Sequence, residues 1–204
     1  MGGDWLEGLL NRKQDVIDAA VELFASQGYD ATTTFELARA AGVTEPVIYY
    51  HFKNKDGLFS HILKTAFDFY FSRLEALPTD TETEIEKIEN LIDFHFRIID
   101  EIPDEVRIIT SICPAKLQDA GHVCARLVEE QRLHLMRYVS DAIERGVESG
   151  EFYPVPVEAT SGIIIAFVNG LLRRRGLKLD QVHGLKEASV DFCRRSLTKV
   201  SLPL

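Results

Sequence analysis

Apolar side chains recur at intervals of three and four residues along nearly the whole chain, which is the periodicity of a helix with one buried face. Near the N-terminus five residues carry this pattern: Val16, Ile17, Ala20, Leu23 and Phe24. The strict alternation of apolar and polar residues that marks a half-buried strand is rare. The sequence therefore predicts an all-α protein.

Cap and stop residues divide this pattern into about nine helices. Asn11 is expected to cap the first helix and Gly28 to end it. The predicted segments are 11–28, 33–42, two turns after residue 44, 55–77, 85–102, a short element between Pro103 and Pro114, 119–148, 157–174 and 181–199. One stretch, Gly162 to Val168, is rich in β-branched residues that also suit a buried strand. Because no partner strand is evident, a helix is predicted there as well.

Two short helices joined by Ala41-Gly42-Val43 are the most informative local feature. Thr33 and Glu36 have the spacing of a capping box, and Thr44 can cap a following helix with Pro46 in its first turn. Two such helices around a glycine turn have the anatomy of a DNA-binding helix-turn-helix. An ordinary helical hairpin in a core would use the same apolar positions, so spacing alone leaves both interpretations open.

The residues of this segment resemble the signature of the TetR family of transcriptional repressors. The resemblance is carried by Thr32 to Ala38, Ala41 to Thr44 and Ile48 to Asp56, and it spans about residues 12–62. The downstream order of helices, including the Glu144 to Phe152 stretch before an apolar final pair, is also similar to the family.

This resemblance implies a domain organisation and a function. The expected domains are a three-helix helix-turn-helix domain, residues 1–55, and an all-helical ligand-binding and dimerisation domain, residues 56–204. The implied function is that of a homodimeric repressor that binds a palindromic, double-stranded DNA operator and is released by a small molecule.

The resemblance assigns ten residues to the DNA interface by matching position. Those where the family contacts phosphates are Thr33, Thr34, Tyr49, His51 and Lys55. Those at the start and on the exposed face of the recognition helix are Thr44, Glu45, Pro46, Val47 and Tyr50.

Three of these residues, Glu45, Pro46 and Val47, depart from the family's commonest pattern, which leaves the operator sequence open. Glu45 could accept a hydrogen bond from a cytosine amino group, or it could be a solvated carboxylate that lowers affinity.

The charge balance is unusual for a nucleic-acid-binding protein, whose domains are often basic. The chain carries a net charge of −9. Its first 60 residues hold five basic and nine acidic side chains. DNA binding therefore has to depend on the local placement of a few donors, including hydroxyls and helix N-termini.

The second domain is predicted to bind an apolar or amphipathic small molecule, because large side chains and a few polar groups fall at inward-facing positions. The predicted pocket residues are Phe67, Phe71, Phe94, His95, Ile109, Met136, Phe167 and Asn169. The same side chains would also suit a tightly packed core.

The helix predicted after residue 157 is apolar on nearly every side, which the surface of a monomer would not tolerate. Together with the last helix it predicts a four-helix interface between two copies of the chain. The predicted interface residues are Gly162, Ile163, Phe167, Gly170, Leu171 and Phe192.

No enzyme motif, cofactor site or metal site is predicted. His122, Cys124 and His134 supply three potential ligands, whereas a closed zinc site needs four. A helical scaffold or partner-binding protein without DNA binding is the alternative function.

The chain is expected in the cytoplasm. It begins without a signal peptide and contains no apolar run long enough to span a membrane. Its three scattered cysteines, Cys113, Cys124 and Cys193, indicate a reducing compartment and are expected to be buried.

Overall fold

The computed structural model describes residues 3–111, 121–177 and 182–199. These residues form nine helices and one isolated β-bridge, between Phe152 and Thr198. The helices are α1 (Gly3–Gln27), α2 (Thr34–Ala40), α3 (Glu45–Phe52), α4 (Lys55–Glu75), α5 (Glu84–Glu101), α6 (Pro103–Thr110), α7 (Val123–Glu148), α8 (Val157–Gly176) and α9 (Leu185–Leu197). The prediction of an all-α fold is confirmed.

The main error concerns the first helix. Asn11 was expected to cap it, but α1 begins at Gly3 and runs through Asn11. The residues before Asn11 include Leu6, Glu7 and Leu9, which are good helix formers. The helix therefore continues through Asn11, which lies inside it rather than at its start. By contrast, residues 162–168 are helical, as predicted, within α8.

Smaller differences affect the ends of other helices. The fourth helix ends at Glu75 rather than Leu77, and the last helix runs from Leu185 to Leu197 rather than over 181–199. The seventh helix begins at Val123, while the predicted start at Asp119 lies outside the described residues.

The N-terminal helices α1 to α3 pack around one apolar cluster that continues into the first half of α4. Its fully buried members from the first three helices include Val16, Ala20, Leu37 and Ile48. Because α4 contributes Leu58 and further apolar residues to the same cluster, movement of α4 is mechanically linked to the three N-terminal helices.

The second half of the molecule has a larger core, built mainly by α5, α7, α8 and α9. Helix α5 is held at its start by the carboxylate of Glu151, which accepts from the backbone N–H groups of Glu84 at 2.8 Å and Ile85 at 2.9 Å. The first N–H groups of a helix have no carbonyl partner within the helix. The Glu151 carboxylate therefore supplies the acceptor that these two groups lack. The segment that follows α7 is thereby fixed against α5.

Candidate nucleic-acid interface

Helix α2 begins with the predicted capping box. The backbone N–H of Glu36 donates to the Thr33 hydroxyl oxygen at 3.2 Å, and the Glu36 carboxylate accepts from the Thr33 backbone N–H at 2.8 Å. Hydrogen bonds from Thr33, first from its backbone and then from its side chain, lower the pKa of Glu36. The exposed start of α2 is therefore ordered by its own side chains.

The turn between α2 and α3 depends on Gly42, which has a φ of 65°. This left-handed conformation is open to glycine at little cost. It allows the backbone N–H of Val43 to donate to the carbonyl of Ala38 at 2.9 Å, which closes the end of α2. The turn directs α3 across α2.

Helix α3 has one buried and one exposed face. Ile48 and Phe52 are buried in the N-terminal cluster. On the other side Tyr49 is 48% exposed and Tyr50 is 71% exposed. Of the remaining predicted base-contacting residues, Thr44 and Pro46 are exposed, and Glu45 and Val47 are half-buried. Thr44 occupies the N-cap position, although its side chain makes no capping hydrogen bond.

A hydrogen bond joins the starts of the two helices. The hydroxyl of Thr34, in the first turn of α2, donates to a carboxylate oxygen of Glu45 at 2.6 Å. Two residues predicted to contact DNA are thus bonded to each other, and while this bond holds the single hydrogen of the Thr34 hydroxyl is not available to a phosphate. Sequence spacing gave no sign of this pair, because it depends on the angle between two helices.

Lys55, the first residue of α4, is half-buried against the segment that joins α1 to α2. Its ammonium donates to the carbonyl oxygens of Tyr29 at 2.9 Å and Thr32 at 2.8 Å. Lys55 therefore has a structural role that no sequence pattern indicated, and its phosphate contact stays a prediction.

Lys13 and two histidines lie close together at the C-terminal end of α3. Lys13 Nζ is 5.8 Å from the centre of the Phe52 ring, and His61 packs against the same ring at 5.6 Å. Burial, and then the positive charge of Lys13, lower the pKa of His51 and of His61. His51 Nε2 is buried without a hydrogen-bond partner among the described residues. Lys13 lies far from His51 in sequence, so no local pattern indicated it.

Four of the predicted pocket residues come together around Tyr70. They are Phe67, Phe71, Phe94 and His95, with ring centroids 6.4, 5.8, 5.1 and 5.8 Å from that of Tyr70. The ring of His134 also contacts Phe71, with centroids 5.0 Å apart.

His95 is a fully hydrogen-bonded neutral base within this cluster. Its Nδ1 lies 2.8 Å from the carbonyl oxygen of Leu91, and its Nε2 lies 3.0 Å from the Tyr70 hydroxyl. Burial lowers the pKa of His95 to about 4, although its hydrogen bond to the Leu91 backbone opposes the shift. Because a carbonyl can only accept, Nδ1 carries the hydrogen and Nε2 accepts from Tyr70.

The other predicted pocket residues are dispersed. Ile109 packs against the N-terminal cluster, whereas Met136 and Phe167 pack against the larger core. Asn169 is half-buried. A cleft of about 600 Å³ lies elsewhere, and Phe96, Ile99, Arg107 and Arg175 are among its lining residues. None of the eight predicted pocket residues lines that cleft.

Most residues of the predicted dimer interface lie on one side of α8 and α9. Ile163 is 66% exposed and Phe192 is 58% exposed. A Cβ placed on Gly162 or Gly170 would meet no atom within 4 Å. Phe167 is half-buried and packs against Phe192 at 5.7 Å. A further residue named for the interface, Leu171, is instead buried in the core of its own chain.

Metal ligands do not converge in the described ranges, where no group of three His, Cys, Asp or Glu side chains could hold an ion. His122 serves as the N-cap of α7, its Nδ1 accepting from the backbone N–H of Cys124 at 3.1 Å. The thiols of Cys124 and Cys193 are buried, while Cys113 lies outside the described residues. No helix in the described part of the chain is long and apolar enough to cross a membrane.

The exposed face of α3, set across a capped α2 by a glycine turn, defines a helix-turn-helix DNA-binding transcriptional regulator. The family model described as "Bacterial regulatory proteins, tetR family" matches residues 16–62. This match assigns residues 16–62 to the DNA-binding region of the TetR family.

Similar proteins extend the match over most of the chain. The HTH-type transcriptional repressor KstR2 of Mycolicibacterium smegmatis is 26% identical over 144 residues, which cover 71% of this chain and 69% of that protein. The structure of the ketosteroid transcriptional regulator KstR2 of Mycobacterium tuberculosis has a TM-score of 0.77, with 20% identity, over 93% of this chain and 96% of that one.

A third match is the crystal structure of the transcriptional regulator FadR from Bacillus subtilis in complex with stearoyl-CoA. It has a TM-score of 0.66, with 20% identity, over 88% of this chain and 96% of that one. These relatives are regulators, which favours a regulator over the helical scaffold considered as an alternative.

Proposed function

We propose that this protein is a cytoplasmic, homodimeric, non-enzymatic repressor that binds a palindromic operator and is released by an amphipathic small molecule. The observation that carries DNA binding is the exposed face of α3, where Tyr49, Tyr50 and Pro46 project from a helix whose opposite side is buried. Such a face suits the major groove, while the exposed Tyr49 hydroxyl suits a phosphate oxygen. The proposed domain boundary is at residues 55 and 56, where α4 begins.

The exposed side of α8 and α9 supports the homodimer. Ile163 and Phe192 expose large apolar surfaces, and Gly162 and Gly170 leave room for close backbone approach. Apolar surface of this kind is favourable only when it is covered, and a second copy covers it by symmetry. Two copies would place two α3 helices on one face, as a palindromic operator requires.

The aromatic cluster around Tyr70 supports an effector site in the second domain. Phe67 and Phe71 belong to α4, the helix that begins at Lys55 and packs against the N-terminal domain. An effector that prefers one position of α4 would shift the spacing of the two α3 helices and so weaken operator binding. A coupling of about 1–3 kcal/mol is enough for such regulation.

The FadR relative was solved with stearoyl-CoA, which supports long-chain acyl-coenzyme A thioesters as the first effector class to test. The acyl chain would meet the aromatic side chains, and a polar group near the thioester would meet His134, whose Nδ1 is buried without a hydrogen-bond partner among the described residues.

A gel-shift experiment with the DNA upstream of the protein's own gene tests the proposal. We expect a discrete complex that depends on a palindromic sequence, and its affinity should fall steeply when one half-site is scrambled, because the dimer then loses half of its base contacts. Adding stearoyl-CoA to the preformed complex should release the DNA, and by reciprocity operator DNA should weaken binding of the thioester equally. Non-specific binding alone would contradict the operator, and tight thioester binding without release would contradict the coupling.

A further inference from the structure

The hydrogen bond between Thr34 and Glu45 lies at the start of the recognition helix, and it fixes an acidic side chain in a surface proposed to meet DNA. The Thr34 hydroxyl engages Glu45 Oε2 at 2.6 Å. Both residues are half-buried, so neither side chain moves freely in solvent. A carboxylate has two oxygens, and this contact engages Oε2 alone, so Oε1 keeps its capacity to accept a further hydrogen bond.

We infer that Glu45 selects cytosine at one position of each operator half-site and that Thr34 is the positioning residue that holds its carboxylate for this contact. The inference rests on the proposed operator binding and adds the base that one side chain selects.

The argument for cytosine comes from the groups that bases display in the major groove. A carboxylate only accepts hydrogen bonds, so it needs a donor on the base edge. Guanine shows two acceptors, and thymine shows one acceptor and a methyl group. Adenine places its N7 acceptor beside its amino donor, which sets an acceptor against the second carboxylate oxygen. Cytosine shows the N4 amino donor, and acceptance of this group by Glu is a recognised pairing.

Charge explains why such a residue acts in selection rather than in affinity. A carboxylate near the phosphates of DNA is repelled, and the acidic balance of the first 60 residues already opposes binding. A base that donates a hydrogen bond to the Glu45 carboxylate offsets this repulsion, whereas a base that presents an acceptor to it adds to the repulsion. Discrimination against the wrong base is therefore larger than the gain from the right one.

The hydroxyl of Thr34 makes the selection sharp because it limits the rotamers of Glu45. A free glutamate at the start of a helix can turn its carboxylate toward solvent and avoid an unfavourable base. Because the Thr34 hydroxyl of α2 holds it, the carboxylate of Glu45 keeps one orientation relative to α3. The side chain then meets the base edge with little further loss of side-chain entropy.

Selection of bound duplexes from a randomised DNA library, with sequencing of the bound pool, tests this inference on the full chain. The wild type should show one position per half-site with a cytosine preference of about tenfold, the size expected for a good side-chain contact to a base. Glu45→Gln should lose that preference and favour adenine there, because an amide can both accept and donate. Thr34→Val should reduce the preference at the same position, and Thr34→Ser should restore it.

Two measurements separate selection from a purely structural role. Glu22→Gln removes one carboxylate from the exposed side of α1 and should change overall affinity at most, leaving every base preference intact. Thermal unfolding of each variant identifies any that fail to fold. If Thr34→Val does not fold, Thr34→Ser, which keeps the hydroxyl, is compared with the wild type instead. If Glu45→Gln binds the wild-type sequence pool with unchanged preferences, the inference is wrong while operator binding stands. If the wild type enriches no sequence at all, the proposed function itself fails.

Discussion

The side-chain nitrogen of Lys55 lies 2.8 Å from the carbonyl oxygen of Thr32 and donates a hydrogen bond to it. The same nitrogen donates to the carbonyl of Tyr29 and lies 4.3 Å from the centre of the Tyr29 ring. The first residue of α4 is thereby joined to the segment that connects α1 with α2. A phosphate contact by Lys55 would use the third hydrogen of the ammonium.

Replacing Lys55 by alanine is expected to lower the free energy of unfolding by about 1–3 kcal/mol, because two carbonyls lose a charged donor. Urea unfolding followed by circular dichroism measures this loss. Lys53→Ala removes the same charge from an exposed position close by and should cost much less. Equal losses in the two variants would contradict the structural role of Lys55.

The turn at Gly42 gives a second prediction. Gly42→Val is expected to destabilise the protein by about 1–2 kcal/mol, because a β-branched residue resists the left-handed conformation, and Gly42→Asn should cost less. A Cβ at this position meets no atom within 4 Å, so the difference between the two variants reports on the backbone and not on a clash. Thermal unfolding of both variants checks the order, and a valine variant as stable as the asparagine variant would refute it.

The sequence predicts a structural feature well when the residues that determine it are close together along the chain. The Thr33–Glu36 capping box and the Gly42 turn involve residues a few positions apart, so their spacing alone predicts them. The predicted start of α1 at Asn11 was wrong, because the preference of Asn for the N-cap position is weaker than the helix propensity of the residues before it. Local rules therefore predict elements better than their ends.

Features that depend on the angle between helices could not be predicted. The Thr34–Glu45 hydrogen bond and the proximity of Lys13 to His51 each join two different helices. Periodicity identified Leu171 as apolar and part of α8, yet it could not say which side of a nearly all-apolar helix faces the chain's own core. These contacts require packed helices, and sequence patterns specify packing only coarsely.

The buried His95 predicts a dependence of stability on pH. Its pKa is lowered to about 4 by burial, while an unfolded histidine titrates near 6.5. Between these values the unfolded chain binds a proton that the folded chain does not, so stability falls as pH falls, by up to about 1.4 kcal/mol per pH unit. Below about pH 4 the folded chain is protonated as well and this contribution stops changing.

Urea unfolding at several pH values between 4 and 8 measures this effect. His95→Gln should give a flatter curve, and the difference from the wild type isolates His95 because the carboxylates are common to both. Parallel curves for His95→Gln and the wild type would show that His95 does not titrate in this window.

The open surface at Gly170 gives a test of the proposed homodimer. Gly170→Leu should abolish dimers, because a Cβ there meets no atom of its own chain within 4 Å, so the added side chain extends only into the space that a second copy would occupy. The fold of the single chain should survive, since leucine favours a helix more than glycine by about 1 kcal/mol.

Sedimentation velocity at micromolar concentration is expected to show a dimer for the wild type and a monomer for the variant, with operator binding lost in parallel. Ser72→Leu, at an exposed position of α4, adds a leucine away from this face and should remain dimeric. A wild type that sediments as a monomer, or a Gly170→Leu variant that remains a dimer, would place the interface elsewhere or remove it.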